Sequence, residues 1–177
     1  NLFLMLYIIE DNREVTWSER GNWGRYDNKR KRQSREGYVC MRRFLTASHG
    51  PLSEAILRSA GLIAGEETFH GFRSISVTMS DSRETVMGMI DEIFSQYDPE
   101  DEIVAITDVF GGSITNALTE YITTRKLHII AGMNLGLVLE AGFSDESIPV
   151  EELVKNLQQV GHEQILYVND MARQENT

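Results

Sequence analysis

The sequence has a single cysteine, Cys40, and only three prolines in 177 residues. A lone cysteine cannot form a disulfide within the chain, which is typical of proteins of the reducing cytosol. Apolar runs are short, and none approaches the roughly 18 residues that a membrane-spanning helix requires. Dinucleotide-binding and Walker-type glycine motifs are absent as well, which argues against a nucleotide site. We therefore expect a cytoplasmic protein that uses neither a membrane anchor nor a bound nucleotide.

Acidic residues outnumber basic ones, and the excess lies in one part of the chain. Residues 1–40 carry eight Lys and Arg against six Asp and Glu, whereas residues 41–177 carry nine against 21. So acidic a region is poorly suited to binding nucleic acid. Its charge favours a partner with a basic docking face.

The first 40 residues differ from the rest because they show no sustained helical or strand period after the initial apolar run. We predict that residues 1–40 are a disordered or peripheral extension. An alternative hypothesis is that the native chain begins at Met41, since the codons for residues 35–37 fit a purine-rich ribosome-binding site. Residues 41–170 are then predicted to form one domain, with residues 171–177 as a tail.

From residue 41 onward, short apolar runs alternate with patterns of helical period. The predicted strands are Phe44–Ala47, Phe72–Thr78, Ile103–Thr107 and Leu127–Ala131, followed by an edge strand at Ile165–Val168. The predicted helices lie between Pro51 and Gly65 and at Ser82–Tyr97, Ser113–Thr124, Leu135–Ala141 and Val150–Gln159. Such alternation at short spacing predicts an α/β fold with a doubly wound, mostly parallel four-stranded sheet.

Two chemically capable side chains follow strands of this predicted sheet. His49 comes after the first strand and Asp108 directly after the third. The carboxyl ends of parallel strands are where ligands bind, at the point where the strand order reverses. If these two strands are neighbours, the carboxylate of Asp108 can fix one ring nitrogen of His49 and free the other for nucleophilic attack. The sequence therefore predicts chemistry on a phosphoryl group.

A small-residue turn, Gly111-Gly112-Ser113, follows Asp108 and precedes a helix. Glycines allow the backbone to approach a ligand closely, and the first amides of a helix favour anions. We predict that Gly111, Gly112 and Ser113 bind phosphate. Asn134, which follows the fourth strand at the same edge, lines the pocket or serves as a turn residue.

Simpler interpretations exist for each of these residues taken alone. A histidine after a strand fits an ordinary loop, and an aspartate before Gly-Gly-Ser fits turn and cap chemistry. Their combination at matched strand ends favours the functional interpretation. The other histidines, His70, His128 and His162, have no neighbour at metal-ligand spacing, so we expect no metal and no cofactor.

Three segments together resemble the IIA component of the mannose family of the sugar phosphotransferase system. They are Leu45–Gly50, Thr107–Ser113 and Ala131–Leu135, within a match that runs from about residue 41 to about residue 168. The resemblance implies a cytoplasmic phosphotransferase. In such a protein His49 accepts a phosphoryl group from the carrier HPr and passes it to a IIB component, which serves membrane IIC and IID components.

The same resemblance assigns roles to the remaining site residues. It implies that Asp108 orients His49 and that the Gly-Gly turn and Ser113 hold phosphate. It also implies a homodimer through exchange of the last strand, Ile165–Val168.

Other functions remain open at the level of sequence. A subunit of a dihydroxyacetone-kinase phosphotransfer system has a similar fold but usually lacks the Gly-Gly-Ser run. An anion-binding module without enzymatic activity would use the same sheet edge and form no covalent phosphate. A histidine-dependent phosphohydrolase would release inorganic phosphate instead of keeping it.

Overall fold

The computed structural model describes residues 32–33 and 39–174 of the chain. Within these residues the strands are β1 (Arg32–Gln33), β2 (Val39–Cys40), β3 (Arg42–His49), β4 (Phe72–Val77), β5 (Glu102–Thr107) and β6 (Lys126–Ala131). The α-helices are α1 (Leu52–Ala64), α2 (Arg83–Phe94), α3 (Ser113–Thr119), α4 (Leu135–Gly142), α5 (Val150–Glu163) and α6 (Val168–Gln174). A short 3₁₀ helix, Glu66–Phe69, links α1 to β4.

The central sheet has four strands in the order β4-β3-β5-β6, and every neighbouring pair is parallel. The chain begins this sheet at β3, crosses to β4 on one side and then returns to β5 on the other side. The strand order therefore reverses between β3 and β5, which makes that gap the switch point of the sheet. The predicted α/β class and the parallel four-stranded sheet are confirmed.

Helices cover both faces of the sheet. Helices α2 and α3 pack on one face through Val86, Ile90, Phe94, Ile114, Ala117 and Leu118. Helices α1, α4 and α5 pack on the other through Ile56, Ala60, Leu137, Val138, Ala141, Leu153 and Leu157. Strand β5 lies between the two layers, and Ile103–Ile106 are fully buried, as expected for a continuous apolar strand in a parallel sheet.

A buried carboxylate fixes how β3 enters the sheet. Asp101, immediately before β5, accepts the Met41 amide at 2.9 Å and the Nε of Arg43 at 2.8 Å. Its side chain is almost completely buried, and the ion pair with Arg43 supplies the compensating charge. These contacts fix the pairing of Arg42 with Glu102, and the ladder carries that register to the far end of both strands.

The C-terminal part of the fold differs from the prediction. The expected edge strand, Ile165–Val168, is not a strand in the single chain, because residues 165–167 lack regular structure and α6 begins at Val168. Helix α5 also continues to Glu163, beyond its predicted end. A strand needs a partner for its backbone groups, and this segment has none within the described single chain. Whether a second copy supplies one remains a prediction.

Two helices are shorter than predicted at their C-terminal ends. Helix α2 begins after its N-cap Ser82, whose side chain accepts the Thr85 amide at 3.2 Å, and ends at Phe94. Helix α3 ends at Thr119, and the chain continues in turns such as Ile122 N–H to Thr119 O. The β-branched run Ile122-Thr123-Thr124 disfavours further helix, which explains the early end of α3.

The predicted extension, residues 1–40, lies outside the described residues apart from the short antiparallel pairing of β1 with β2. Of the predicted tail, residues 171–174 belong to α6 and the last three residues lie outside the described part. The domain limits stay predictions. Among the described residues, no helix combines the length and apolar character needed to cross a bilayer.

Candidate active site

His49 and Asp108 meet at the switch point of the sheet. His49 is the last residue of β3, and Asp108 follows the last residue of the neighbouring strand β5. The Asp108 amide continues the ladder by donating to the carbonyl of Ala47 at 3.2 Å. The first and third predicted strands are therefore neighbours, which was the condition for a contact between these residues, and the two side chains lie within hydrogen-bond distance.

One oxygen of Asp108 holds both the backbone and the ring of His49. Oδ2 of Asp108 lies 2.8 Å from the His49 amide nitrogen and 2.9 Å from Nδ1 of its ring. The other oxygen, Oδ1, accepts the amide of Val109 at 2.8 Å. The carboxylate is thus fixed by its own loop while it fixes the imidazole, an arrangement that orients the ring before any ligand arrives.

The contacts of Asp108 define the proton position on the ring. Partial burial raises the pKa of the Asp108 carboxyl, but hydrogen bonds from the amide and ring of His49 and from the Val109 amide outweigh it, so the pKa lies below its ordinary value. An ionised carboxylate can only accept hydrogen bonds. Nδ1 of His49 therefore carries the proton in the neutral ring, and Nε2 keeps its lone pair.

Nε2 of His49 points toward Ser113, the first residue of α3. The Ser113 hydroxyl lies 3.1 Å from Nε2 and donates to its lone pair. The His49 side chain is 47% exposed, whereas that of Asp108 is only 13% exposed. The imidazole side chain is therefore accessible from solvent, and the carboxylate that orients it is shielded.

The Gly-Gly turn gives the imidazole its space. A Cβ on Gly112 would lie 2.7 Å from Cε1 of His49 and 3.0 Å from Cγ1 of Val109. Gly111 has φ +79°, a left-handed conformation that favours glycine. The Gly112 amide donates to the Val109 carbonyl at 3.2 Å, so within the described structure this glycine supplies room beside the ring while its amide closes the turn.

Two residues that the sequence analysis did not single out hold this loop in place. Oγ1 of Thr115 lies 2.9 Å from both the Val109 carbonyl and Oγ1 of Thr107. Nδ2 of Asn116 donates to the Gly111 carbonyl at 2.9 Å. Their position in the first turn of a helix after a glycine turn, where polar side chains bond back to the preceding loop, is the signal that could have identified them.

Asn134 lies at the same edge of the sheet but is engaged in structural bonds. Its Oδ1 accepts the Leu137 amide at 3.0 Å as the N-cap of α4, and its Nδ2 donates to the Gly161 carbonyl at 3.1 Å. Its backbone is extended rather than left-handed. These contacts tie α4 to α5 and give Asn134 a capping role; they do not support a role in the pocket.

The remaining histidines lie apart from this site. His70 follows the 3₁₀ helix, His128 is within β6 and His162 is in the last turn of α5. Among the residues that the structure describes, no group of three or more His, Cys, Asp or Glu is arranged to hold a metal ion.

The fold and the site together define an α/β domain with an accessible histidine, oriented by an aspartate, at the switch point of a parallel sheet. The chain belongs to the PTS (phosphotransferase system) fructose IIA component family, whose model matches residues 43–158. This confirms the resemblance found from the three sequence segments. The protein is thus a IIA component of the mannose family of the sugar phosphotransferase system.

Individual relatives agree with this assignment. The chain is 25% identical over 114 residues to the PTS system fructose-specific EIIA component of Bacillus subtilis (strain 168), covering 64% of this chain and 77% of that one. It is 27% identical over 122 residues to the PTS system sorbose-specific EIIA component of Lacticaseibacillus casei, covering 67% and 85%. A solved structure, the mannose/sorbose specific IIA subunit from Enterococcus faecalis, superimposes with TM-score 0.66 at 25% identity, covering 71% of this chain and 93% of that one.

Proposed function

We propose that this protein accepts a phosphoryl group on Nε2 of His49 from phosphohistidine of HPr and passes it to a IIB component during sugar uptake. The observation that carries the proposal is the pair of bonds around one ring. Asp108 holds Nδ1 at 2.9 Å, and Nε2 keeps a lone pair on a half-exposed side chain. A nucleophile that is oriented, unprotonated and accessible meets the first requirement of covalent phosphoryl transfer.

The proposed phosphoryl transfer needs no reactant besides the two histidine rings and the phosphoryl group. The lone pair of Nε2 attacks phosphorus in line with the bond to the donor's ring nitrogen. That bond breaks, and its electron pair returns to the donor's ring. The His49 ring, protonated at Nδ1 and bonded to phosphorus at Nε2, is then cationic, and the Asp108 carboxylate stabilises this charge. Discharge to the IIB component is the same step in reverse with a different partner.

Ser113 and the start of α3 are proposed to hold the phosphoryl oxygens. The Ser113 hydroxyl, 3.1 Å from Nε2, occupies the position that phosphorus must take, so it moves aside and donates to a phosphoryl oxygen. The Gly111-Gly112 turn adjoins the ring, since a Cβ on Gly112 would lie 2.7 Å from Cε1 of His49, and we include both glycines in the proposed phosphate site. No metal, nucleotide or other cofactor takes part in this scheme.

The partners and location follow from the proposed reaction. HPr and IIB are direct partners, the membrane components IIC and IID are reached through IIB, and the protein acts in the cytoplasm. We further propose a homodimer in which residues 165–168 of each copy are covered by the other. Four consecutive apolar side chains, Ile165, Leu166, Tyr167 and Val168, are each at least 60% exposed in the single chain. Covering such a patch is favourable, and sedimentation at increasing concentration tests it.

Phosphorylation in a purified system tests the proposal directly. The protein is incubated with phosphoenolpyruvate, Enzyme I and HPr, and intact mass is measured before and after acid treatment. We expect one acid-labile, base-stable phosphoryl group on the wild type and on His162→Gln, and none on His49→Gln. A chase with a IIB component should remove it. Release of inorganic phosphate without a stable adduct indicates a hydrolase. The absence of both covalent label and phosphate release indicates an anion-binding module. Transfer only to a subunit of a dihydroxyacetone-kinase system indicates that system.

A further inference from the structure

Ser48, the residue before His49, joins the end of β3 to the start of α1. Its hydroxyl accepts the Ser53 amide at 2.7 Å and donates to the Gly50 carbonyl at 3.3 Å. Only Gly50 and Pro51 separate the two elements, so this one side chain spans the whole turn that follows His49. The first amides of a helix have no partner within it, and the N-cap Pro51 offers no side-chain bond. Ser48 therefore caps α1 from the strand.

Ser53, in the first turn of α1, is bonded to both neighbouring strands. Its hydroxyl donates to the Ile75 carbonyl at 2.9 Å and accepts the Ser76 hydroxyl at the same distance. Its carbonyl accepts the Thr46 hydroxyl at 3.1 Å. The side chains of Thr46, Ser48 and Ser53 are completely buried. The amide, hydroxyl and carbonyl of Ser53 thus all have partners in β3 or β4.

This buried network of hydroxyl groups fixes the position of α1 more closely than apolar packing would. Apolar contacts are non-directional, whereas hydrogen bonds weaken steeply when their distance or angle changes. A buried network in which every member has a partner therefore specifies one arrangement. Ser48 and Ser76 are also paired across the ladder of β3 and β4, so the network and the sheet share one register. The backbone of His49 lies between the two ends that Ser48 connects.

We propose that Ser48 is a positioning residue for phosphoryl transfer and acts through the backbone of His49. The inference rests on the proposed function. Asp108 holds the amide and ring of His49 at 2.8 and 2.9 Å, and Ser48 holds the turn that follows. Nε2 thereby keeps its place 3.1 Å from the Ser113 hydroxyl. Removal of the Ser48 hydroxyl leaves the buried Ser53 amide without this bond, so α1 shifts to satisfy it and moves His49 as well.

Labelling of His49 by two donors tests this role: phosphorylated HPr, and phosphoramidate, a small donor that needs no protein surface. For Ser48→Ala we expect the rate constant for transfer to fall by about 10- to 100-fold with both donors, since a displacement of about 1 Å is enough for such a loss. The KM for phosphorylated HPr should stay unchanged, because a completely buried side chain cannot touch the donor protein. Ser48→Thr keeps the hydroxyl and suits a strand, so it should restore most of the rate.

Thr68→Val is the matched control. The Thr68 hydroxyl donates to the Ala64 carbonyl at 2.9 Å, at the end of α1 that is remote from His49, so the substitution removes a hydroxyl bond of the same helix. We expect both variants to lower the melting temperature. Only Ser48→Ala should slow labelling and speed hydrogen exchange of the His49 amide, which reports directly on the bond to Asp108.

The outcomes separate the positioning role from the proposed function. Wild-type labelling rates in Ser48→Ala overturn the positioning role, and so does an equal loss of rate in Thr68→Val, which would make the effect one of stability. If Ser48→Ala does not fold, Ser53→Ala takes its place: it removes the bonds to β4, alanine suits the helix, and unchanged labelling by this variant overturns the proposal. Labelling of the wild type by neither donor overturns the proposed function itself.

Discussion

The backbone amide and the ring Nδ1 of His49 both bond to a single oxygen, Oδ2 of Asp108, at 2.8 and 2.9 Å. The carboxylate therefore fixes where β3 ends as well as how the ring lies. This double attachment connects two neighbouring strands at their carboxyl ends, and it makes the geometry of the site a direct product of the sheet register.

Replacing Asp108 by Asn should damage chemistry much more than folding. The amide keeps the size of the side chain but removes the charge that fixes the proton on Nδ1 of His49. We expect the rate of phosphoryl acceptance from HPr to fall roughly 10²- to 10⁴-fold, the range seen when an orienting carboxylate is neutralised. Single-turnover labelling measures this rate. Glu92→Gln, which removes a charge from the exposed side of α2, is the control; an equal loss in both variants would contradict an orienting role.

Gly112→Ala should displace the imidazole. The added Cβ would lie 2.7 Å from Cε1 of His49, closer than carbon atoms approach without movement, and the backbone there (φ −64°, ψ 157°) is otherwise suited to alanine. A displacement of about 1 Å is enough to slow transfer by roughly 10²-fold. The comparison variant is Gly88→Ala in α2, where a Cβ meets nothing within 4 Å. That variant should transfer normally and gain about 0.5–1 kcal/mol in the free energy of unfolding. Normal transfer by Gly112→Ala would show that the ring has more room than the structure gives it.

The pKa of Asp108 predicts how stability changes in acid. Its pKa in the folded protein lies below the ordinary value of 3.8, so folding favours the ionised form. The resulting stabilisation is complete above the ordinary value and is lost as pH falls from there through the folded-state pKa. The difference in unfolding free energy between the wild type and Asp108→Asn should therefore shrink as the pH falls below 3.8. Denaturant titration at several pH values measures it, and a carboxyl NMR titration of Asp108 with a midpoint at or above 3.8 would refute it.

Asn134→Ala should affect stability rather than phosphoryl transfer. The substitution removes the N-cap bond to Leu137 and the tie to Gly161, so we expect the free energy of unfolding to fall by roughly 1–2 kcal/mol. Thermal unfolding and labelling from HPr are measured on the same sample. Slower phosphoryl labelling with unchanged stability would instead support the predicted role of Asn134 in the pocket.

The sheet and the meeting of His49 with Asp108 could be predicted from the sequence because both follow from local patterns. The predicted strands Phe44–Ala47 and Ile103–Thr107 ended shortly before His49 and directly before Asp108, and parallel strands bring such ends to one edge. The role of Gly112 beside the imidazole could not be derived in the same way, since it depends on how two loops distant in sequence meet. The same holds for Thr115 and Asn116, because their bonds to the preceding loop depend on where α3 begins.

In the C-terminal region the sequence predicted a strand that the single chain does not form. Ile165–Val168 has the composition of a strand, and its four apolar side chains are exposed in the single chain. Whether such a segment becomes a strand depends on a neighbouring backbone, which the described single chain does not provide. Helix α3 ends earlier than predicted for a local reason, the β-branched run that follows it. The prediction relied on the hydrophobic pattern and gave this run too little weight.

The closeness of Gly112 to the ring has one more consequence. With Asp108 on Nδ1 and Gly112 beside Cε1, the imidazole is held on two sides, and Nε2, next to the Ser113 hydroxyl, is the one ring nitrogen left for a phosphoryl group. Under the proposed function, the donor protein and the acceptor protein must approach the same nitrogen, so they cannot bind there together. Transfer then takes place in two separate encounters, and one protein is released before the other binds.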